Sequence, residues 1–123
     1  MSILTAFKKQ SEAEGEKARA ELDTEILQCI NKGLASFGDS VPQMILYNFK
    51  WMTKLERVDI PRKPEEFEKS LDRVFGEGSA LVRKAIINEI NTKFGLTQDY
   101  ASLKEAFDTA AQNRFLVHNS NLS

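Results

Sequence analysis

A 3.6-residue apolar repeat, broken at glycines and prolines, runs along most of this chain and leaves little choice but a helical fold. From Leu22 the apolar positions are Ile26, Cys29, Ile30, Leu34 and Phe37, all on one helix face. Gly38 follows, a residue suited to the left-handed geometry that ends helices. Asp39 or Ser40 can cap a second helix, with Pro42 in its first turn, where a missing N–H costs nothing. That helix is expected from Val41 to Arg57, carrying Met44, Ile45, Tyr47, Phe49, Trp51, Met52 and Leu55. Apolar residues occupy most of its circumference, the pattern of a helix at the centre of a bundle.

A short connection, Val58 to Lys63, comes next, with Ile60 biased to extended geometry by Pro61. Pro64 opens a third helix whose first turn holds Glu65 and Glu66, favoured there by the helix dipole. Its inward stripe is Phe67, Leu71, Val74 and Phe75, and Gly76 ends it. Ser79 is a candidate cap for a fourth helix with Val82, Ile86, Ile90 and Phe94 four apart and Leu81 and Ile87 beside them. Gly95 followed by Leu96 has the form of a Schellman stop. A last helix is expected from about Asp99, with Tyr100, Leu103, Phe107 and Ala110 on one side. The expectation is an all-α compact bundle of about five helices with short connections punctuated by Gly and Pro.

Residues 22–117 form the bundle domain in this reading, 1–21 a charged helical extension, and 118–123 a polar tail containing His118. Ala6, Ala13, Ala20, Leu27 and Leu34 lie seven apart, as in a coiled-coil seam. The partner positions Gln10, Lys17, Thr24 and Asn31 are polar, which favours a solvated helix leading into the core over a dimerising one. At 123 residues the chain has room for one domain and for a core that needs neither disulfide nor metal. No transmembrane span and no signal peptide is read, and with a single thiol the default compartment is the cytoplasm.

Catalytic chemistry finds few footholds. The only His lies in the tail and the only Cys on an apolar helix stripe, so no nucleophile stands beside a base and no Cys/His zinc cage can form from one chain. Gly76-Glu77-Gly78-Ser79 carries two glycines of a dinucleotide fingerprint, but it lacks the third and follows a helix instead of a strand. Glu65, Glu66 and Glu68 cluster at a helix start, and Glu12, Glu14, Glu16 and Glu21 alternate with cations on a solvated helix. A carboxylate-based bundle enzyme would also want Glu–His pairs that are missing here. The expectation is a non-enzymatic chain with no catalytic residues, no cofactor and no metal.

Net charge is −1, from seventeen basic and eighteen acidic residues, so no overall field draws the chain to nucleic acid or membrane. The local distribution says more. Residues 41–63 hold five cations against two carboxylates and residues 64–80 the reverse. On an unbroken second helix Lys50, Lys54 and Arg57 share one face with Trp51 beside them. Together with Arg62 and Lys63 they are the candidate binding surface, for a protein or, as the alternative, for phosphates of a nucleic acid. The plainer readings are a solvated edge, or docking of the two oppositely charged segments within the fold or between copies. A DNA-reading helix-turn-helix around Gly38 is disfavoured, because the second helix offers apolar side chains where base edges need polar ones.

Several ordered segments carry a family resemblance: Leu34-Ala35-Ser36-Phe37-Gly38-Asp39-Ser40-Val41, Tyr47, Ile60-Pro61-Arg62-Lys63-Pro64-Glu65-Glu66-Phe67, Val74-Phe75-Gly76-Glu77-Gly78-Ser79-Ala80 and Lys93-Phe94-Gly95-Leu96. This set, spanning roughly half the chain, resembles the small archaeal family called Nitrosopumilus output domain 5, a domain of unknown biochemical function. The resemblance implies an output or adaptor module of archaeal signalling, found alone or attached to other domains. It brings no catalytic residues with it. The function expected is therefore protein–protein interaction, with a second copy of the chain among the candidate partners and no membrane partner.

Overall fold

A computed structural model describes the backbone over residues 3–121 and the side chains over residues 15–114. Five α-helices and two short 3₁₀ turns make up these residues, with no strand among them: α1 (Ile3–Ala35), α2 (Val41–Thr53), a 3₁₀ turn (Arg57–Arg62), α3 (Pro64–Phe75), a second turn (Gly76–Gly78), α4 (Ser79–Phe94) and α5 (Leu103–Asn121). The all-α bundle read from the repeat is the observed architecture.

The charged extension and the first core helix are one continuous helix of 33 residues, roughly 50 Å long at 1.5 Å per residue. Its buried face begins at Leu22 and continues through Ile26, Cys29, Ile30 and Leu34, as the repeat anticipated; Phe37, beyond the helix, is exposed. Leu27 and Leu34 of the suggested seam also face the chain's own core, whereas Ala20 is exposed. The side chains of Ala6 and Ala13 lie outside the described residues.

The centre of the bundle is the α1–α4 pair, which shares the largest interface, and not α2. Gly33 is what lets these two helices approach: a Cβ there would lie 2.9 Å from Ile86 Cγ1 and 3.0 Å from Ile86 Cα. Helix α2 buries only Val41, Ile45 and Phe49, and leans on α3 through an edge-on contact of Phe49 with Phe67, centroids 6.2 Å apart. Ser70 Oγ donates to Asn48 Oδ1 across the same pair at 2.8 Å. The opposite charges of residues 41–63 and 64–80 form no ion pair with each other among the described residues.

Four local expectations change. First, α2 stops at Thr53 instead of Arg57. Lys54 turns left-handed at φ 62°, and its N–H closes on the Lys50 carbonyl at 2.8 Å. Second, the connection expected from Val58 to Lys63 holds a 3₁₀ turn, Arg57–Arg62, bound to the core, with Ile60 and Pro61 buried. Glu56 and Asp59 cap that turn reciprocally, and burial of Ile60 overrides the extended bias that Pro61 imposes. Third, Ser79 does not cap α4; it is the first helical residue, and its hydroxyl donates to Asp72 at 2.7 Å. Fourth, α5 starts at Leu103, not near Asp99, and stays helical past His118 to Asn121, where a polar tail was expected. Its start is set by Ser102, whose Oγ accepts the Glu105 N–H at 3.2 Å, and by Glu68 of α3, which accepts the Leu103 N–H at 3.0 Å. The Schellman stop at Gly95 is present, with the Leu96 N–H on the Asn91 carbonyl at 2.9 Å.

Candidate interaction surface

The break at Lys54 removes the common helix face on which Lys50, Lys54 and Arg57 were to stand. Lys50 Nζ reaches Glu56 at 3.1 Å, so its charge is paired locally. Lys54 is exposed on the terminating turn, and Arg57 opens the 3₁₀ segment. Arg62 stays exposed but lies against α1: its Nε is 2.9 Å from Asp23, whose other oxygen takes Arg19 at 3.0 Å. That buried carboxylate clamps the 3₁₀ turn onto α1. Lys63 is exposed and precedes α3. Of the six candidate residues, then, Arg62 ties the turn to α1, Lys50 is paired with Glu56, and Lys50, Lys54 and Arg57 no longer share one helix face.

Trp51 keeps its place on the surface and gains a different setting. It is 55% exposed, with the Arg73 guanidinium 4.8 Å from its ring centroid. Met44 and Tyr47 lie seven and four residues before it on the same face, 46% and 76% exposed. The sequence showed this helix to be apolar nearly all round. Only the structure shows that, among the described residues, this second apolar stripe stays exposed and is covered by no apolar neighbour, with Arg73 alone lying over Trp51. Phe37, in the turn before α2, is also partly exposed and packs against Phe75 at 6.4 Å between centroids.

Beneath the other side of α2, facing α1 and the 3₁₀ turn, lies an open cavity of about 150 Å³. Its floor is apolar and buried: Leu27, Ile30, Leu34, Ile45, Ile60 and Phe67. The polar lining residues are Asn31, Gln43 and Arg57, all exposed. A wider hollow between α4 and the segment before α5 is lined by Arg83, Lys84, Asn88, Asp99 and Tyr100 among others. Arg83 is already neutralised there by Glu68 at 3.0 Å and Asp72 at 2.6 Å.

The remaining chemical groups serve the fold. Cys29 is buried and its Sγ lies 3.6 Å from the Glu89 carbonyl. Burial, reinforced by the nearby Glu89 charge, pushes the thiol up to about 11, away from nucleophilic reactivity. Asp72 is held below the usual carboxylate range by the Ser79 hydroxyl and by Arg83. Among the described residues no group of three or more His, Cys, Asp or Glu could hold a metal ion. His118 has its side chain outside the described residues. Glu65 and Glu66 sit in the first turn of α3, as the helix dipole favours, and Glu68 is engaged with Arg83 and the start of α5.

Fold and surface together define an all-α helical bundle with an exposed apolar helix face, unpartnered among the described residues, and a small apolar cavity beside it. No helix among the described residues is long and apolar enough to cross a membrane. No family model, curated protein or solved structure matches the chain.

Proposed function

We propose that this protein is a non-enzymatic interaction module, an adaptor or output element that binds another protein through the outward face of α2. The observation that carries this reading is the exposed stripe of Met44, Tyr47 and Trp51. Large aromatic and Met side chains grouped on one rigid helix are the composition of interface centres, and they gain most from being covered. Lys54, one turn beyond Trp51, and Arg73 over its ring place two cations at the edge of the stripe. The partner that fits is an apolar protein segment flanked by carboxylates. The resemblance to the Nitrosopumilus output domain family points the same way, toward signalling of archaeal type. A nucleic-acid reading is less well supported, since Lys50 and Arg62 are engaged with carboxylates and no helix aligns the remaining cations along a phosphate backbone.

A photoreactive phenylalanine analogue at position 47, with position 84 as the control on another helix, tests this in source cells. The reading requires a discrete protein adduct at 47 that is absent at 84 and lost when Met44 and Trp51 are both replaced by Ala. A second copy of the chain as the adduct also satisfies it. Identical adduct patterns at the two positions, or none at either, would overturn it.

A further inference from the structure

We infer that the cavity between α1, α2 and the Arg57–Arg62 turn is a binding site for a small monocarboxylate with an apolar tail of about six carbons. The inference is independent of the α2 face.

Three features set the chemistry. The floor consists of buried apolar side chains from four elements, α1, α2, the 3₁₀ turn and α3, so the space can accept hydrocarbon but offers water few partners there. Its volume, about 150 Å³, is that of a cavity able to hold a benzene-sized group. Among the described residues the lining contains no Asp or Glu, and its polar members are two neutral amides and one guanidinium.

Arg57 selects the head group. The chain has six arginines. Arg19 and Arg62 share Asp23, Arg83 holds Glu68 and Asp72, Arg114 pairs with Glu25, and Arg73 lies over Trp51. Arg57 alone has no carboxylate or ring partner among the described residues, and it is the one that lines the cavity. The two carboxylates nearest in sequence are occupied elsewhere: Glu56 with Lys50 and the turn's backbone, Asp59 with the Glu56 N–H. A guanidinium without a counterion beside an apolar floor matches an amphiphilic anion, whose carboxylate can take paired N–H donors while its tail enters the cavity. Asn31 and Gln43 can donate to the same head group.

The test is a titration of the full chain with hexanoate, 1-hexanol and hexylamine, followed by two-dimensional amide NMR. For a ligand of this size a Kd of about 0.1–1 mM is expected for hexanoate, with shifts centred on Leu34, Ile45 and Phe67. Hexanol should bind about tenfold more weakly, and hexylamine more weakly still. Arg57→Gln, at an exposed position, should keep the spectrum of the folded chain and bring hexanoate down to the level of hexanol. The inference is overturned by absence of saturable shifts up to about 20 mM hexanoate, twentyfold above that range. It is equally overturned by shifts centred elsewhere, by equal affinity for acid and alcohol in the unmodified chain, or by a preference that survives Arg57→Gln.

Discussion

Gly33→Ala should destabilise this protein even though Ala is the better helix former. At an exposed mid-helix position the exchange stabilises by about 1 kcal/mol. At Gly33 the added methyl meets Ile86 at three atoms: Cγ1 at 2.9 Å, Cα at 3.0 Å and N at 3.1 Å. The first could rotate away. The other two are backbone of α4, so relief requires α1 and α4 to part by several tenths of an ångström. That movement would loosen a seam formed by Ile26, Ile30, Val82, Ile86 and Ile90, all buried. Overpacking of this kind costs about 1–3 kcal/mol, and the backbone contacts place it in the upper part of that range. After the propensity gain the net loss is about 1–2 kcal/mol, which lowers a urea midpoint by roughly 1 M at a slope near 1.5 kcal/mol/M. Gly15→Ala is the matched control, because nothing lies within 4 Å of a Cβ there. It should raise far-UV helicity without lowering the midpoint. A Gly33→Ala midpoint equal to or above that of the unmodified chain would refute the close α1–α4 approach.

Other perturbations test the polar ties and the thiol. Asp23→Ala removes the shared partner of Arg19 and Arg62, and equilibrium unfolding should show a loss of about 1–3 kcal/mol; a loss below about 0.5 kcal/mol would mean that the clamp is not maintained in solution. Asp72 has its folded pKa below the ordinary 3.8, so its ionised form stabilises the fold above that value and the contribution disappears as pH falls through the folded value. Asp72→Asn should therefore be less stable than the unmodified chain at pH 7, and the difference should shrink progressively as pH falls below 3.8, in paired urea titrations. Cys29, with its pKa raised to about 11, exposes roughly one thiolate in a thousand at pH 8. An aromatic disulfide reagent should leave it unmodified in the native protein and titrate one thiol after denaturation; rapid native reaction would contradict its burial.

Much of the fold was legible because helix-forming signals are local. Pro42, Pro64, Gly76 and Gly95 act through their own φ angles and missing groups, and each sits at the helix boundary that the pattern implies. The start of α5 was equally legible, since Ser102 and Glu105 have the spacing of a capping box, but the apolar Tyr100 drew the helix start too early. Other errors were non-local. Nothing near Lys54 forbids helix, and Lys50, Trp51 and Arg57 continue the period. The helix ends there because burying Ile60 and Pro61 and pairing Arg62 with Asp23 require the chain to turn back toward α1. The shared helix face of Lys50, Lys54 and Arg57 went with it, and Arg62 is committed to a residue 39 positions away.

By itself, then, the sequence determined the helices, most of their ends, and which side chains needed burial, because these depend on backbone geometry and on the periodicity of solvation. Tertiary structure decided which apolar stripe won a partner. Helix α2 carries more apolar surface than one contact face can cover. Close approach at Gly33 gives the centre of the bundle to α1 and α4, so Met44, Tyr47 and Trp51 remain outside. It also decided that, among the described residues, Arg57 was left with neither a carboxylate nor a ring partner, since such pairing depends on distances between elements that no local pattern records.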